Sequence, residues 1–429
     1  MEILVFTNQR TSRKQYCFKQ VCYQILGFRV RFTTKIEEFI SYQGVKFSYA
    51  KKPLGQELFV EAAGLLDEEG FGDFDIKVED WNSIPCFFKV SKESSIPFDI
   101  FSASFYLLVR YEEYLPFVKN KAGGFPVEES TAFKYKFLHR PVVDLWAYQF
   151  LEVLQEKYPN IEFPQSTYTI QLQVTVHEAF AFRYKGLLRQ LVGFFKQLLS
   201  GNLPQAWLQI KTQLRLVKDP LDVYDKIVQL AKKHQFNLKM FFQLSDFSKD
   251  NRNINHHKTH YQHLIKSMGD YFETGLLPGK TAIFEAEQLQ KEKKRWKEIA
   301  KQEVKRVLVK KFPLSFPESY INFEKALIKE DYSMGYADEL GFRAGSCTPF
   351  LFYNLNAEEV TPLKIHPFAL HSSILRNKQS HEIQEKLTKI KSDLQAVNGS
   401  FNLNFENEDF KSEQFTKTKE FIIQLHATD

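Results

Sequence analysis

Residues 168–177 read YTIQLQVTVH, with Ile170, Leu172, Val174 and Val176 alternating with Gln171, Gln173 and Thr175. That period of two predicts a strand with one buried face. Upstream, Phe28–Thr34 and Val45–Tyr49 alternate in the same way, and Gln15–Leu26 has helical spacing. Pro97–Tyr114 (PFDIFSASFYLLVRYEEY) predicts a helix capped by Asp99 or Ser102, and Pro141–Tyr158 predicts another. Between 159 and 165 the run PNIEFPQ has two prolines and no period, so the chain is expected to divide there. Beyond it, helices are expected at about 181–199, 222–234, 256–268, 285–308, 318–329, 379–396 and 411–425. Strands are expected near 237–244, 281–284, 331–336, 341–343, 363–366 and 400–405. Such alternation predicts an α/β fold with a parallel sheet or β/α barrel, whose sites sit at the C-terminal ends of strands.

Composition refines this picture. With 429 residues and 43% apolar content, two domains with sizeable cores are expected; 42 Phe against 4 Met make those cores aromatic. The net charge of +6 is mild and argues for neither nucleic acid nor a membrane as partner. Cys17, Cys22, Cys86 and Cys347 have no metal spacing and read as buried thiols of a reducing compartment. The first residues lack the apolar run of a secretory signal, and no stretch approaches the ~20 apolar residues of a membrane span, so a cytoplasmic protein is expected.

The densest turn signals lie in Asp331–Leu355, DYSMGYADELGFRAGSCTPFLFYNL, where Gly335, Gly341 and Gly345 surround Arg343. This stretch, with KDPLDVYDKI, SFPESY and HPFAL, resembles the polysaccharide deacetylases (carbohydrate esterase family four). ILGFRVRFTT, VKFSYA, DIFSASFYLLVRYEEY and FLHRPVVDLW resemble the extra N-terminal domain, of unknown function, that one subgroup carries. The resemblance implies an N-terminal α/β domain at 1–160 and a distorted β/α barrel at 166–429. It also implies a mechanism: a divalent metal such as zinc, held by an Asp and His ligands, polarises an acetamide carbonyl and activates water. A second Asp serves as base, oriented by an Arg, and a His serves as acid.

Carried over position by position, that machinery is broken. The family strand T-x-D-x-D falls on Thr175-Val176-His177-Glu178-Ala179, which puts His177 at the base and Ala179 at the metal Asp. A metal His falls on Phe284, and the R-x-H motif on Leu308-Val309-Lys310. Ser372 replaces a supporting Asp, and Glu406 stands at the acid. Arg343 matches the orienting Arg without its carboxylate partner, and is expected to face His177. Alanine and phenylalanine bind no metal, so no cofactor is expected. The reading is a degenerate site on a deacetylase scaffold. Its cleft is lined by Thr175, His177, Phe284, Tyr336, Phe342, Arg343 and Glu406, with Phe350 nearby, and binds a saccharide or glycan precursor or supports a protein partner in glycan assembly. One alternative shifts the register so that Glu178 or Glu406 serves, giving an active hydrolase of C–N bonds on N-acetylated sugars. Another is a purely structural partner protein.

Other clusters have plainer readings. His256, His260 and His263 would share a helix face, with His257 beside them, as a polar surface on which metal binding is adventitious. Glu285–Lys311 holds ten Lys or Arg beside an apolar stripe of Leu289, Trp296, Ile299, Ala300, Val304 and Val307, and reads as an outer helix with a solvated basic face. An anionic glycan is its alternative ligand. His366 and His371 read as satisfied structural histidines, and Asp219-Pro220 as a helix start.

Overall fold

A computed structural model describes residues 1–121, 123–163, 167–309, 314–377 and 381–426. It falls into two compact units, neither continuous in sequence. The first takes Met1–Thr169, Phe312–Glu324 and Lys329–Asn402; the second takes Ile170–Lys311, Lys325–Ile328 and Leu403–Asp429. Pro164 and Gln165, at the end of the expected linker, lie outside the described residues, as do Lys310, Lys311 and positions 379 and 380.

In the first unit β1 (Glu2–Phe6), β2 (Arg29–Thr33), β3 (Lys46–Ala50) and β4 (Phe59–Glu61) form a parallel sheet in the order β2-β1-β3-β4. Helix α1 (Ser12–Phe18) runs on as a π-helical segment, Lys19–Ile25, where one helix was expected. Asp99 caps α2 (Ile100–Leu108) by accepting from the Phe101 and Ser102 amides at 3.1 and 3.0 Å. The helix stops at Leu108, short of the expected Tyr114, because Arg110 turns left-handed at φ 55°. Helix α3 (Val142–Lys157) agrees with its periodicity. The core is aromatic as the composition implies: Phe18 stacks on Phe101 at 3.7 Å, and Phe150 meets Phe47 and Phe101 edge-on. All four cysteines are free and buried.

The second unit is built on β5 (Thr169–Val176), β6 (Asn237–Phe242), β7 (Glu273–Leu276) and β8 (Arg306–Val307), all parallel. Thr175 pairs with Phe241, and Phe242 with Leu276. Its helices include α4 (Leu187–Leu199), α5 (Leu203–Gln213), α6 (Tyr224–His234), α7 (Thr259–Gly269) and α8 (Ala286–Ala300). The strand expected at 281–284 is instead a 3-10 turn, Thr281–Ile283, and the strand is β7. β7 hides from a propensity reading because it contains Gly275, where a Cβ would lie 2.7 Å from the Phe241 ring and 2.8 Å from the Arg306 carbonyl.

Further along, β9 (Glu330–Asp331) pairs parallel to β11 (Glu359–Ile365), and β10 (Phe350–Asn354) pairs antiparallel to β11. The strands expected at 331–336 and 341–343 shrink to β9. Residues 332–336 and 340–347 are buried but irregular, because Gly341 at φ 136° and Gly345 at φ 64° bend the chain. The last strand, β12 (Ser400–Glu406), lies beside β5. The fold is α/β with parallel sheets, but the expected barrel is corrected: among the described residues the strands form open sheets, and no pairing closes them.

Candidate functional site

In the second unit β5 delivers His177, Glu178 and Ala179 just past its C-terminal end, and β12 delivers Glu406 beside them. The Thr175 hydroxyl donates to the Phe405 carbonyl at 3.2 Å, and the Asn407 amide donates to the Glu178 carbonyl at 2.9 Å. Thr175, His177 and Glu406 thus lie at the adjoining ends of β5 and β12. Thr175 and Glu406 are engaged in the local structure there. Glu406 is buried and caps the turn Asn407–Phe410 in a reciprocal box, its amide donating to Asp409 at 2.7 Å. Glu178 pairs with Lys185. Ala179 is fully buried, its amide donating to Asn253 at 3.2 Å and its carbonyl accepting from the Tyr224 hydroxyl at 2.8 Å. Phe284 closes the 281–283 turn and is 47% exposed.

The loop after Ala179 is held by a residue given a lesser role above. Asp219 does not open a helix, since α6 begins at Tyr224. Its carboxylate accepts from the amides of Ala181 (2.8 Å), Phe182 (2.9 Å), Arg183 (2.9 Å) and Leu221 (3.0 Å). Asp219→Ala would leave these donors unmatched, and is expected to cost about 1–3 kcal/mol in urea unfolding. A loss within experimental error would show that the loop repairs itself. A buried amide network also fills the end of β6. Asn253 donates to the Gln243 carbonyl at 2.9 Å and to the Tyr261 hydroxyl at 2.6 Å, and Gln243 donates to Asn251 at 3.0 Å.

The histidine cluster is corrected. α7 begins at Thr259, so His256 sits in the preceding turn and shares no helix face with His260 and His263. Its ring packs on His257 at 4.0 Å, while His260 stacks on Tyr184 at 4.1 Å. Burial, Arg295 and His257 push the His256 imidazole down to about 4. The basic helix ends at Ala300, with Leu289, Trp296 and Ile299 inward and Lys291, Lys294 and Lys297 exposed. His371 lies 2.7 Å from the Ser373 hydroxyl, and His366 stacks on Tyr332.

Tyr336, Phe342 and Arg343 belong to the first unit, and here the carboxylate reading is corrected. Arg343 has a partner: its Nε and Nη2 donate to the two oxygens of Glu113 at 2.9 and 2.6 Å. Glu113 also accepts from Arg110 Nε at 2.7 Å. Arg110 reaches Glu112 at 2.7 Å and donates to the Arg343 carbonyl. Glu112 in turn takes the Thr131 amide and hydroxyl, both at 2.9 Å. All four charged residues are buried, and their formal charges cancel. Burial pushes the Glu113 carboxyl up, but Arg343 and Arg110 outweigh it and hold it below its ordinary range. Nearby, burial pushes Asp331 up to about 6 against hydrogen bonds from Ser333 and Tyr320. The glycines lock the segment in place: a Cβ on Gly341 would lie 2.3 Å from the Leu138 carbonyl oxygen.

Sequence reasoning missed Arg110, Glu112 and Glu113. The available signal was RYEEY, three charges closing an otherwise apolar helix. The resemblance places metal ligands at a further set of positions. Ala179 and Phe284 offer no ligand atom, Lys310 lies outside the described residues, and Ser372 is a buried hydroxyl opening the short helix Ser372–Asn377. Among the described residues no three His, Cys, Asp or Glu side chains converge as a metal site requires.

Residues 3–159 match a family model described only as a family of unknown function, DUF7033. No curated protein matches the chain. Among solved structures, it is similar to one assigned as a polysaccharide deacetylase from Mycobacterium smegmatis, at 9% identity and TM-score 0.38, over 63% of this chain and 87% of that one. A PuuE allantoinase gives 10% identity and TM-score 0.38, over 61% and 85%. Both likenesses are weak.

Proposed function

We propose that the chain is a catalytically degenerate relative of the polysaccharide deacetylases that supports glycan metabolism by binding a saccharide, without metal-dependent deacetylation. In this reading 1–160 is the N-terminal domain, 166–429 the deacetylase-like part, and the protein is cytoplasmic. The observation that carries it is Ala179. Where the family motif calls for a metal carboxylate, this chain has a buried methyl whose backbone is bonded on both sides, to Asn253 and Tyr224. Both neighbouring carboxylates are already engaged, Glu178 by Lys185 and Glu406 as a turn cap.

The test is metal content together with acetate release from chitooligosaccharides and N-acetylated sugars. Less than stoichiometric metal and no acetate are expected. Stoichiometric zinc with turnover abolished in His177→Ala or Glu406→Ala would establish the active hydrolase instead.

A further inference from the structure

Helices α4 and α5 are built inside out. In α4 the apolar residues Leu187, Leu191, Phe195 and Leu199 recur every four positions, with Leu188 and Val192 beside them, making one continuous stripe. A surface helix normally turns such a stripe inward. Here those six residues are between 54% and 89% exposed. The opposite face, Arg189, Gln190, Gly193, Phe194 and Gln197, is the half-buried one. It is fixed by hydrogen bonds: Arg189 donates to the Asn253 carbonyl at 3.0 Å, and Gln209 of α5 donates to the Gln190 carbonyl at 2.8 Å.

α5 repeats the inversion. Ala206, Gln209 and Thr212 are buried at spacing three, while Leu203, Trp207 and Leu214, at spacings four and seven, are 58–65% exposed. Two adjacent helices thus present leucines, a phenylalanine and a tryptophan outward, while their inward faces are mixed, with Phe194, Leu208 and Ile210 half-buried among amides and small residues. An apolar surface of this extent marks an interaction site.

Charge identifies the occupant. Between Ala179 and Lys218 the chain has seven Lys or Arg and no Asp or Glu. Taking those seven from the 58 Lys and Arg of the chain leaves 51 against 52 Asp and Glu. Lys185 pairs with Glu178 and Lys218 with Asp225 at the edges of this segment, and Arg189 is bonded inward, which leaves Arg183, Lys196, Lys211 and Arg215 as its outward cations. Lys196 and Lys211 flank the apolar stripes, Lys211 with its ammonium 5.5 Å from the Trp207 ring. Apolar residues with an interfacial tryptophan and flanking cations are the composition of a helix lying in the surface of an anionic bilayer. A second copy fits poorly, because pairing this face with itself would oppose two sets of like charges. Spanning is not at issue: no described helix is long and apolar enough to cross a membrane.

We infer that the α4–α5 hairpin docks the protein flat on an anionic lipid surface, independently of any glycan reading. The experiment is co-sedimentation of the full chain with unilamellar vesicles. Mixed phosphatidylglycerol–phosphatidylcholine is compared with phosphatidylcholine alone, at low and high salt, while Trp207 emission is followed against a Trp207→Phe control. The anionic vesicles are expected to bind about tenfold or more tightly, weakening with salt, with a blue shift absent from the control. Leu191→Glu/Phe195→Glu, at exposed positions, is expected to keep its circular dichroism and lose binding. Should that variant unfold, the Trp207 shift in the native sequence still decides. Equal binding to both vesicle types, or no binding to either, would overturn the inference. So would a dimer that Phe195→Glu dissociates while vesicles leave the native chain untouched.

Discussion

Arg343→Met is expected to destabilise the chain by about 3–5 kcal/mol, because it strands Glu113. The Glu113 side chain is 1% exposed and takes two hydrogen bonds from the Arg343 guanidinium. Without Arg343, one buried arginine, Arg110, must serve both Glu112 and Glu113. The charge imbalance, more than the lost contacts, sets the cost. Arg343→Met/Glu113→Gln should therefore recover much of the loss: Arg110 and Glu112 then balance, and the glutamine side-chain oxygen introduced at position 113 can still accept from Arg110. Urea unfolding of the native chain, both single variants and the double closes the cycle. If Arg343→Met alone costs under about 1 kcal/mol, the cluster is not the buried, neutralised unit described. The outcome also bears on function, since a guanidinium committed to Glu113 is held by the fold and is not an orienting group awaiting a base.

That commitment shows where sequence reading stops. Local patterns were legible: the alternation in 168–177 gave β5, Asp99 gave the cap of α2, and the spacing in 141–158 gave α3. The glycines around Arg343 also stand out in the sequence. The partner of Arg343, however, lies 230 residues upstream, and a single sequence carries no signal linking the two. Helix α5 is absent from the expected elements, although Asn202 is its cap and Pro204 sits in its first turn. For α4 the apolar spacing announced a helix, but inward packing is the default for such a stripe. Only tertiary structure shows that its polar face is the bonded one. His256 was misplaced for a related reason, since a helix start at Thr259 is set by the turn before it and not by histidine spacing.

Stability in the second unit is expected to fall as pH rises, and Glu292→Gln is expected to abolish most of that fall. Glu292, on α8, is 4% exposed, and its two oxygens lie 3.3 and 3.2 Å from the Gly279 amide. Burial pushes its carboxyl up to about 8 from 4.5, against the opposing pull of the Gly279 N–H and Arg295. The gap cannot be widened for water by a side chain at 279: a Cβ there would lie 2.6 Å from Ser245 Cβ and 2.9 Å from Glu292 Oε1. Because the folded carboxyl binds its proton more tightly than the unfolded one, its stabilising effect is complete below about pH 4.5. It drains away up to about pH 8 and is constant beyond. Integrated over that window the loss is roughly 3–5 kcal/mol. The glutamine of the variant carries no titrating proton and keeps an oxygen for the Gly279 amide. The stability difference between variant and native chain should therefore grow with pH across the window and level off above it, read by urea unfolding at a series of pH values. A difference that stays flat would mean that water reaches Glu292 in the folded chain, and that the Gly279–Glu292 contact is more open than its geometry indicates.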